Sequence, residues 1–182
     1  MQITGGFLRS RKIITPKTAN VRPTLSQVRE SVYSTLYSMI DFDGKTFLDA
    51  FAGSGIMGFE AISRGFANAT FVEKDKKTFL LLKENIQKLG LNENQYSINL
   101  CDAKKYLKNY SSQVQFDVIY IDPPYLSGLY DEIISLIYDN SLLSENGILV
   151  LEHPKNLELN FLSFNLQKQK TYADKMISFL SL

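Results

Sequence analysis

Thr46-Phe47-Leu48-Asp49-Ala50-Phe51-Ala52-Gly53-Ser54-Gly55-Ile56-Met57-Gly58 decides the fold. Residues 46–51 are largely apolar and aromatic, the pattern of a buried strand, and they run without a spacer into a glycine turn. Residues 56–64 carry a helical pattern stopped by Gly65. Gly53, Gly55 and Gly58 stand at G-x-G-x-x-G spacing, which permits a tight turn, a close backbone approach to a ligand, and a helix laid against its strand. Such a unit opens an α/β sheet and brings a ligand to the carboxyl end of its first strand. The spacing fits a nicotinamide or flavin dinucleotide as well as other nucleotide-like ligands.

Outward from this unit, strands and helices alternate. Residues 69–73 read as a strand and 76–89 as a helix with Asp75 as N-cap and Gly90 as its stop. Strand 95–100, helix 103–110, strand 116–121, helix 129–140 and strand 148–151 follow, then two strands over 161–169 and 175–180 around a turn at 172–174. The alternation predicts an α/β domain whose sheet is seven-stranded and mainly parallel, with helices on both faces and a C-terminal antiparallel strand pair. On the amino side, Thr24 and Gln27 form a capping-box pair ahead of apolar residues Leu25, Val28, Val32, Leu36 and Met39, so a helix over 25–40 packs on the body. At 182 residues, with 45% hydrophobic and 21% charged residues, residues 25–182 make one ordinary globular domain.

Residues 1–24 differ in charge. They hold Arg9, Arg11, Lys12, Lys17 and Arg22 with no acid, leaving −4 on the rest of a chain whose formal charge is +1. A basic arm on a mildly acidic body is an electrostatic footprint for phosphates, or else a solvated tail. No apolar stretch approaches a membrane span and no hydrophobic signal segment opens the chain, so a cytoplasmic location is expected. Cys101 has no second thiol to pair with and reads as a small apolar residue at a strand end. His153, the only histidine, reads as a loop residue before Pro154, and no metal site is expected.

Four acids terminate the first four strands. Asp49 lies close to where a pyrophosphate would sit, and two like charges about 5 Å apart at an effective dielectric near 20 repel by roughly 3 kcal/mol. The same carboxylate attracts a ligand carrying an ammonium and a sulfonium, as S-adenosylmethionine (SAM) does. Glu73 ends strand two and can hold a ribose diol, which serves NAD equally. Asp102 can accept from an adenine amino group while the Ala103 N–H donates to a ring nitrogen, although Asp102 also suits a helix cap. Asp122-Pro123-Pro124-Tyr125 ends strand four. Its prolines donate no N–H and hold the chain extended, so the lip presents only acceptors beside an aromatic plate. That suits a planar group with an amino donor, a nucleobase or an amide; it also suits a plain strand-ending turn.

Taken together, these motifs resemble the Rossmann-like class I SAM-dependent methyltransferases, and the Asp122–Tyr125 element resembles their amino-methylating members. Arg22-Pro23-Thr24, Val28-Arg29-Glu30, the 49–55 turn, Glu60-Ala61-Ile62-Ser63-Arg64-Gly65 and Val72-Glu73-Lys74-Asp75 are similar to the bacterial 16S rRNA guanine-N2 methyltransferase family over residues 5–152. Ser34 departs from it, standing where an asparagine is common. The resemblance implies methylation of a guanine amino group of 16S rRNA, within a 30S subunit or assembly intermediate, by a monomer. It implies cofactor contacts from Asp49, Phe51, Gly53, Gly55, Glu73, Lys74, Asp102, Ala103 and Asp122, and catalysis by Asp122, Pro123 and Tyr125. RNA would be held by Arg9, Arg11, Lys12, Lys17 and Arg22. Methylation of adenine N6 or of a protein glutamine uses a similar lip, and an inactive RNA-binding subunit with the same fold is the alternative of another class.

Overall fold

The computed structural model describes residues 1–16, 26–110, 114–124 and 128–182. Among these residues seven strands and five α-helices follow in the order α1 (Ser26–Tyr37), β1 (Thr46–Asp49), α2 (Ile56–Ser63), β2 (Asn68–Glu73), α3 (Lys76–Leu89), β3 (Tyr96–Leu100), α4 (Ala103–Asn109), β4 (Phe116–Ile121), α5 (Tyr130–Asp139), β5 (Leu143–Pro154), β6 (Asn165–Tyr172) and β7 (Lys175–Ser181). The sheet order is β3-β2-β1-β4-β5-β7-β6. Strands β3 to β5 pair in parallel, and β7 runs antiparallel to both β5 and β6, as expected from the sequence.

Each face of the sheet is sealed by its own set of helices. On one, Val32 and Leu36 of α1, Phe59 and Ile62 of α2, and Leu82 and Ile86 of α3 meet Phe47, Phe71, Val150 and Phe179. On the other, Leu107 of α4 and Ile133, Ile134 and Ile137 of α5 meet Leu48, Ile119, Leu149 and Leu151. Burying one such side chain contributes about 1.5–3 kcal/mol, so the two layers fix the sheet between them. Gly58 sets the closeness of α2 to β2, because a Cβ there would lie 2.2 Å from Phe71 Cε1. Asp75 and Gly90 cap α3 as the sequence predicts, Asp75 accepting from the Thr78 N–H and Gly90 taking φ 68°.

Several details differ from the sequence reading. Residues 1–16 do not trail from the body. Gln2 bridges Lys12 in a hairpin, and Ile3, Leu8 and Ile13 are buried in the first core. The hairpin's polar backbone is met by α2: Thr4 N donates to Glu60 Oε1 at 2.7 Å and Phe7 N to the Ser63 carbonyl at 2.8 Å. His153 is not in a loop but near the end of β5, 2% exposed, with Nε2 2.9 Å from Ser178 Oγ. Pro154, read as a loop signal, takes the last place of the strand, where a missing N–H removes little of the ladder. Finally, β6 begins at Asn165, since residues 161–164 close a turn through Phe164 N to the Phe161 carbonyl at 3.0 Å. Met39, placed in the first helix by its pattern, follows α1 and packs against the core from a turn. Thr24 and Leu25, which would start that helix, lie outside the described residues.

Candidate active site

From β1 the chain steps to β2 and β3 on one side, and β4 leads to β5 on the other, so the switch point lies between β1 and β4. Asp49 pairs in register with Tyr120, and the Ala50 N–H continues the ladder to the Tyr120 carbonyl at 3.2 Å. The carboxyl ends of these two strands, carrying Asp49 and Asp122, therefore lie side by side.

Asp49 is buried, 2% exposed, and its Oδ2 accepts from the Gly58 N–H at 3.3 Å. Burial pushes its carboxyl up to about 7, with repulsion from Asp122 and Glu73 adding to the effect and the Gly58 and Phe51 N–H groups opposing it. Asp122 is half-buried; burial raises it to about 6, against the pull of the Lys175 ammonium. These raised values mark a place where the protein holds negative charge at a cost that a bound cation would relieve.

The turn above Asp49 is held by Glu73. Gly53 N donates to Glu73 Oε2 at 2.9 Å and Asp75 N to Oε1 at 2.7 Å. Each carboxylate oxygen keeps a second lone pair, in a geometry suited to two vicinal hydroxyls. Gly55 sits at φ 86°, a conformation that turns the chain into α2 and that a side chain would strain. Phe51 is half-buried and packs against the second core, whereas Lys74 is exposed. Asp102 is the N-cap of α4, its Oδ1 accepting from Lys104 N at 3.0 Å and Lys105 N at 3.3 Å; both bonds use one oxygen. Ala103, the first residue of α4, is buried. These residues fit SAM in donor chemistry: buried negative charge for its cationic end, an oriented carboxylate for its ribose, and a capping acid for its base.

Pro123 is buried and Pro124 exposed, while Tyr125 lies outside the described residues, as do Lys17 and Arg22. Arg9, Arg11 and Lys12 are exposed on the hairpin, next to Phe7, which is 66% exposed. Cys101 is half-buried and burial raises its thiol, so it stays protonated at neutral pH. Among the described residues, no cluster of His, Cys, Asp and Glu is arranged to hold a metal ion, and no helix is long and apolar enough to cross a membrane.

Several residues of this region have partners that no local sequence signal reports. Asn85, fully buried in α3, donates to the Ser54 carbonyl of the glycine turn at 3.1 Å and to the Ile14 carbonyl at 2.9 Å, tying the hairpin's exit to the turn. Glu60 gathers Thr4, Arg29 and Arg64 around a buried carboxylate. Glu152 and Lys175 form a buried ion pair behind Asp122. Each depends on strands and helices distant in sequence, so only the fold brings them together.

A sheet of this order, with a glycine turn and acids at its switch point, is that of a SAM-dependent methyltransferase. A family model described as Conserved hypothetical protein 95 matches residues 1–181. The ribosomal RNA small subunit methyltransferase D of Buchnera aphidicola is 38% identical over 155 residues, covering 84% of this chain and 78% of its own. The Escherichia coli K12 protein of the same name is 34% identical over 152 residues, covering 84% and 74%. A solved structure from Escherichia coli superposes with a TM-score of 0.86 at 28% identity, over 99% of this chain and 96% of that one. The chain belongs to the ribosomal RNA small subunit methyltransferase D family.

Proposed function

We propose that this methyltransferase modifies the exocyclic N2 amino group of one guanine in the 16S rRNA of the small ribosomal subunit. The observation that carries it is the placing of the Asp122-Pro123-Pro124 acceptor lip beside the buried Asp49 at the switch point. The names of the relatives, which specify small-subunit ribosomal RNA, supply the substrate class. The exposed Arg9, Arg11 and Lys12 on a docked hairpin support nucleic acid over a protein amide. The work is placed in the cytoplasm, where ribosomes assemble, with one chain as the working unit.

The Asp122 carboxylate accepts one N–H of the guanine amino group and the Pro123 carbonyl accepts the other. Held this way, the nitrogen pyramidalises and its lone pair, otherwise delocalised into the ring, points out of the base plane. The hydrogen bond to the ionised carboxylate is the stronger of the two. In the role the family resemblance gives it, Tyr125 would stack on the base, a contact worth about 1–3 kcal/mol. When bound, SAM supplies an electrophilic methyl whose carbon–sulfur bond breaks as the carbon–nitrogen bond forms. The proton that the nitrogen loses passes to the Asp122 carboxylate, whose raised affinity for protons suits that role. Positioning of this kind can lower a barrier by roughly 7–11 kcal/mol without any covalent nucleophile.

The test is transfer of labelled methyl from SAM to 30S subunits taken from cells lacking this chain, to naked 16S rRNA and to DNA, followed by mass mapping of the modified base. A methylguanosine in 16S rRNA is the expected product. Methyladenine, label in DNA only, or label in protein would overturn the proposal.

A further inference from the structure

Asp122 shares its face of the sheet with a buried charge network that the methyl transfer described above does not use. Tyr120, two residues before Asp122 on β4, donates through its hydroxyl to Glu152 Oε2 at 2.6 Å. Glu152 Oε1 accepts from the Lys175 ammonium, and the Tyr130 hydroxyl of α5 donates to the Glu152 carbonyl at 3.0 Å. Glu152 is fully buried and Lys175 is 8% exposed. The register explains the meeting: Ile121 pairs with Leu151, so Asp122 comes level with Glu152, while Pro154 on the same strand pairs with Lys175.

The C-terminal strand pair holds Lys175 there from two sides. The Lys155 N–H donates to the Asp174 carbonyl at 3.1 Å across the strand end. On the other side, Tyr172 donates to Ser31 Oγ of α1, and Lys170 Nζ reaches the same oxygen at 2.9 Å. A lysine carries much rotamer entropy and a strongly hydrated head, so placing one behind an active-site acid needs such support. The charged and titratable groups of this network among the described residues are Tyr120 on β4, Glu152 on β5, Tyr130 on α5 and Lys175 on β7, with Asp49 on β1 acting on Asp122 from the other side and His153 following Glu152 on β5. His153 is occupied with Ser178 and the Pro154 carbonyl, and burial lowers its affinity for a proton. Lys175 is therefore the one cation of this set that answers several acids.

We propose that Lys175, braced by Glu152, is a positioning residue that keeps the Asp122 carboxylate ionised to receive an amino group, making the C-terminal strand pair part of the transfer site. This rests on the assignment of Asp122 to the acceptor lip. The two partners act in opposite directions. Lys175 favours the carboxylate form of Asp122, as its pull on that group indicates. Glu152 draws the ammonium toward itself and adds its own negative charge, which disfavours that form.

Selective carboxyl labelling of aspartate, with Asp122→Asn to assign the resonance, lets NMR follow the titration of Asp122 in the intact chain. Lys175→Met raises its midpoint by about one pH unit or more, Lys175→Arg leaves it near the wild-type value, and Glu152→Gln lowers it. The acid limb of single-turnover methyl transfer to 30S subunits moves the same way, about tenfold in rate per unit. An Asp122 titration that moves with Lys175→Met sustains the inference even if 30S subunits accept no methyl, which would instead sink the substrate assignment. An unmoved titration overturns it, whatever the activity. Should Lys175→Met fail to fold by circular dichroism, Lys175→Gln decides: a raised midpoint supports the inference and an unchanged one overturns it.

Discussion

Asp49, which we propose faces the cationic end of SAM, also destabilises the fold. Its carboxyl rises from 3.8 to about 7 because burial strips its hydration. A carboxyl raised in the folded state contributes stability that is complete below about pH 3.8 and lost as pH climbs through 7. Replacing Asp49 with Asn keeps an acceptor for the Gly58 N–H and removes the charge. The variant should melt several degrees above wild type at pH 8, with a much smaller gain at pH 5. Differential scanning calorimetry at the two pH values checks this, and equal melting at pH 8 would refute it. The same variant should bind SAM far more weakly. Wild-type affinity should itself fall as pH drops below 7, by up to about tenfold per unit, because a cationic ligand selects the ionised form. Asp122→Ala makes the complementary case. Its carboxylate is assigned chiefly to the target amino group, so SAM affinity should fall much less than transfer, which slows at least about tenfold, the loss of a charge-assisted hydrogen bond of roughly 1.5–3 kcal/mol. Calorimetry and single-turnover transfer separate the two effects, and wild-type turnover would remove Asp122 from the reaction.

At the scale of the element, Glu73 is the instructive case because it serves the turn as well as any ligand. Its two oxygens hold the Gly53 and Asp75 N–H groups, so it orients the loop between β1 and α2 and the start of α3. Glu73→Ala should weaken SAM binding beyond the loss of one ribose contact, since two backbone donors lose their acceptor. The rate at saturating SAM should change much less, because the ribose is remote from the methyl. A large fall in saturated rate with unchanged affinity would place Glu73 in the chemistry instead. Residue 73 was legible in the sequence, as were β1, α3 and their caps, because each rests on local signals: a period, a capping acid, a glycine. The carboxyl-terminal part was less so. A buried strand carrying Glu152-His153-Pro154 has no apolar alternation at its end, and its polar residues are satisfied by Tyr120, Lys175 and Ser178 from other strands. Nothing within a window of neighbours reports such partners. Glu60 stood in a motif of the sequence, but its role escaped for the same reason, since it sits in a helix yet serves Thr4 and Arg29 from elsewhere in the chain.

For the molecule as a whole, the question is how a body of net negative charge holds RNA. Our proposal is that the docked hairpin does so. Ile3, Leu8 and Ile13 anchor its apolar side in the core, and Asn85 ties its exit to the glycine turn, leaving Arg9, Arg11 and Lys12 on its exposed side. A rigid cationic ridge loses less entropy on meeting phosphates than a free tail would, so these charges should contact RNA as a set. For single-stranded sites each neutralised phosphate contributes about −0.7 to the slope of log K against log salt. Replacing Arg9, Arg11 and Lys12 together with Ala should therefore flatten that slope by about 2 when all three contact phosphate. The three side chains are exposed and make no part of the buried anchor, so SAM affinity and melting temperature should stay near wild type. Fluorescence anisotropy with a labelled 16S rRNA fragment over a salt series reads the slope, and calorimetry reads the cofactor. A triple variant whose slope matches wild type would move RNA recognition off the hairpin and onto the rest of the chain.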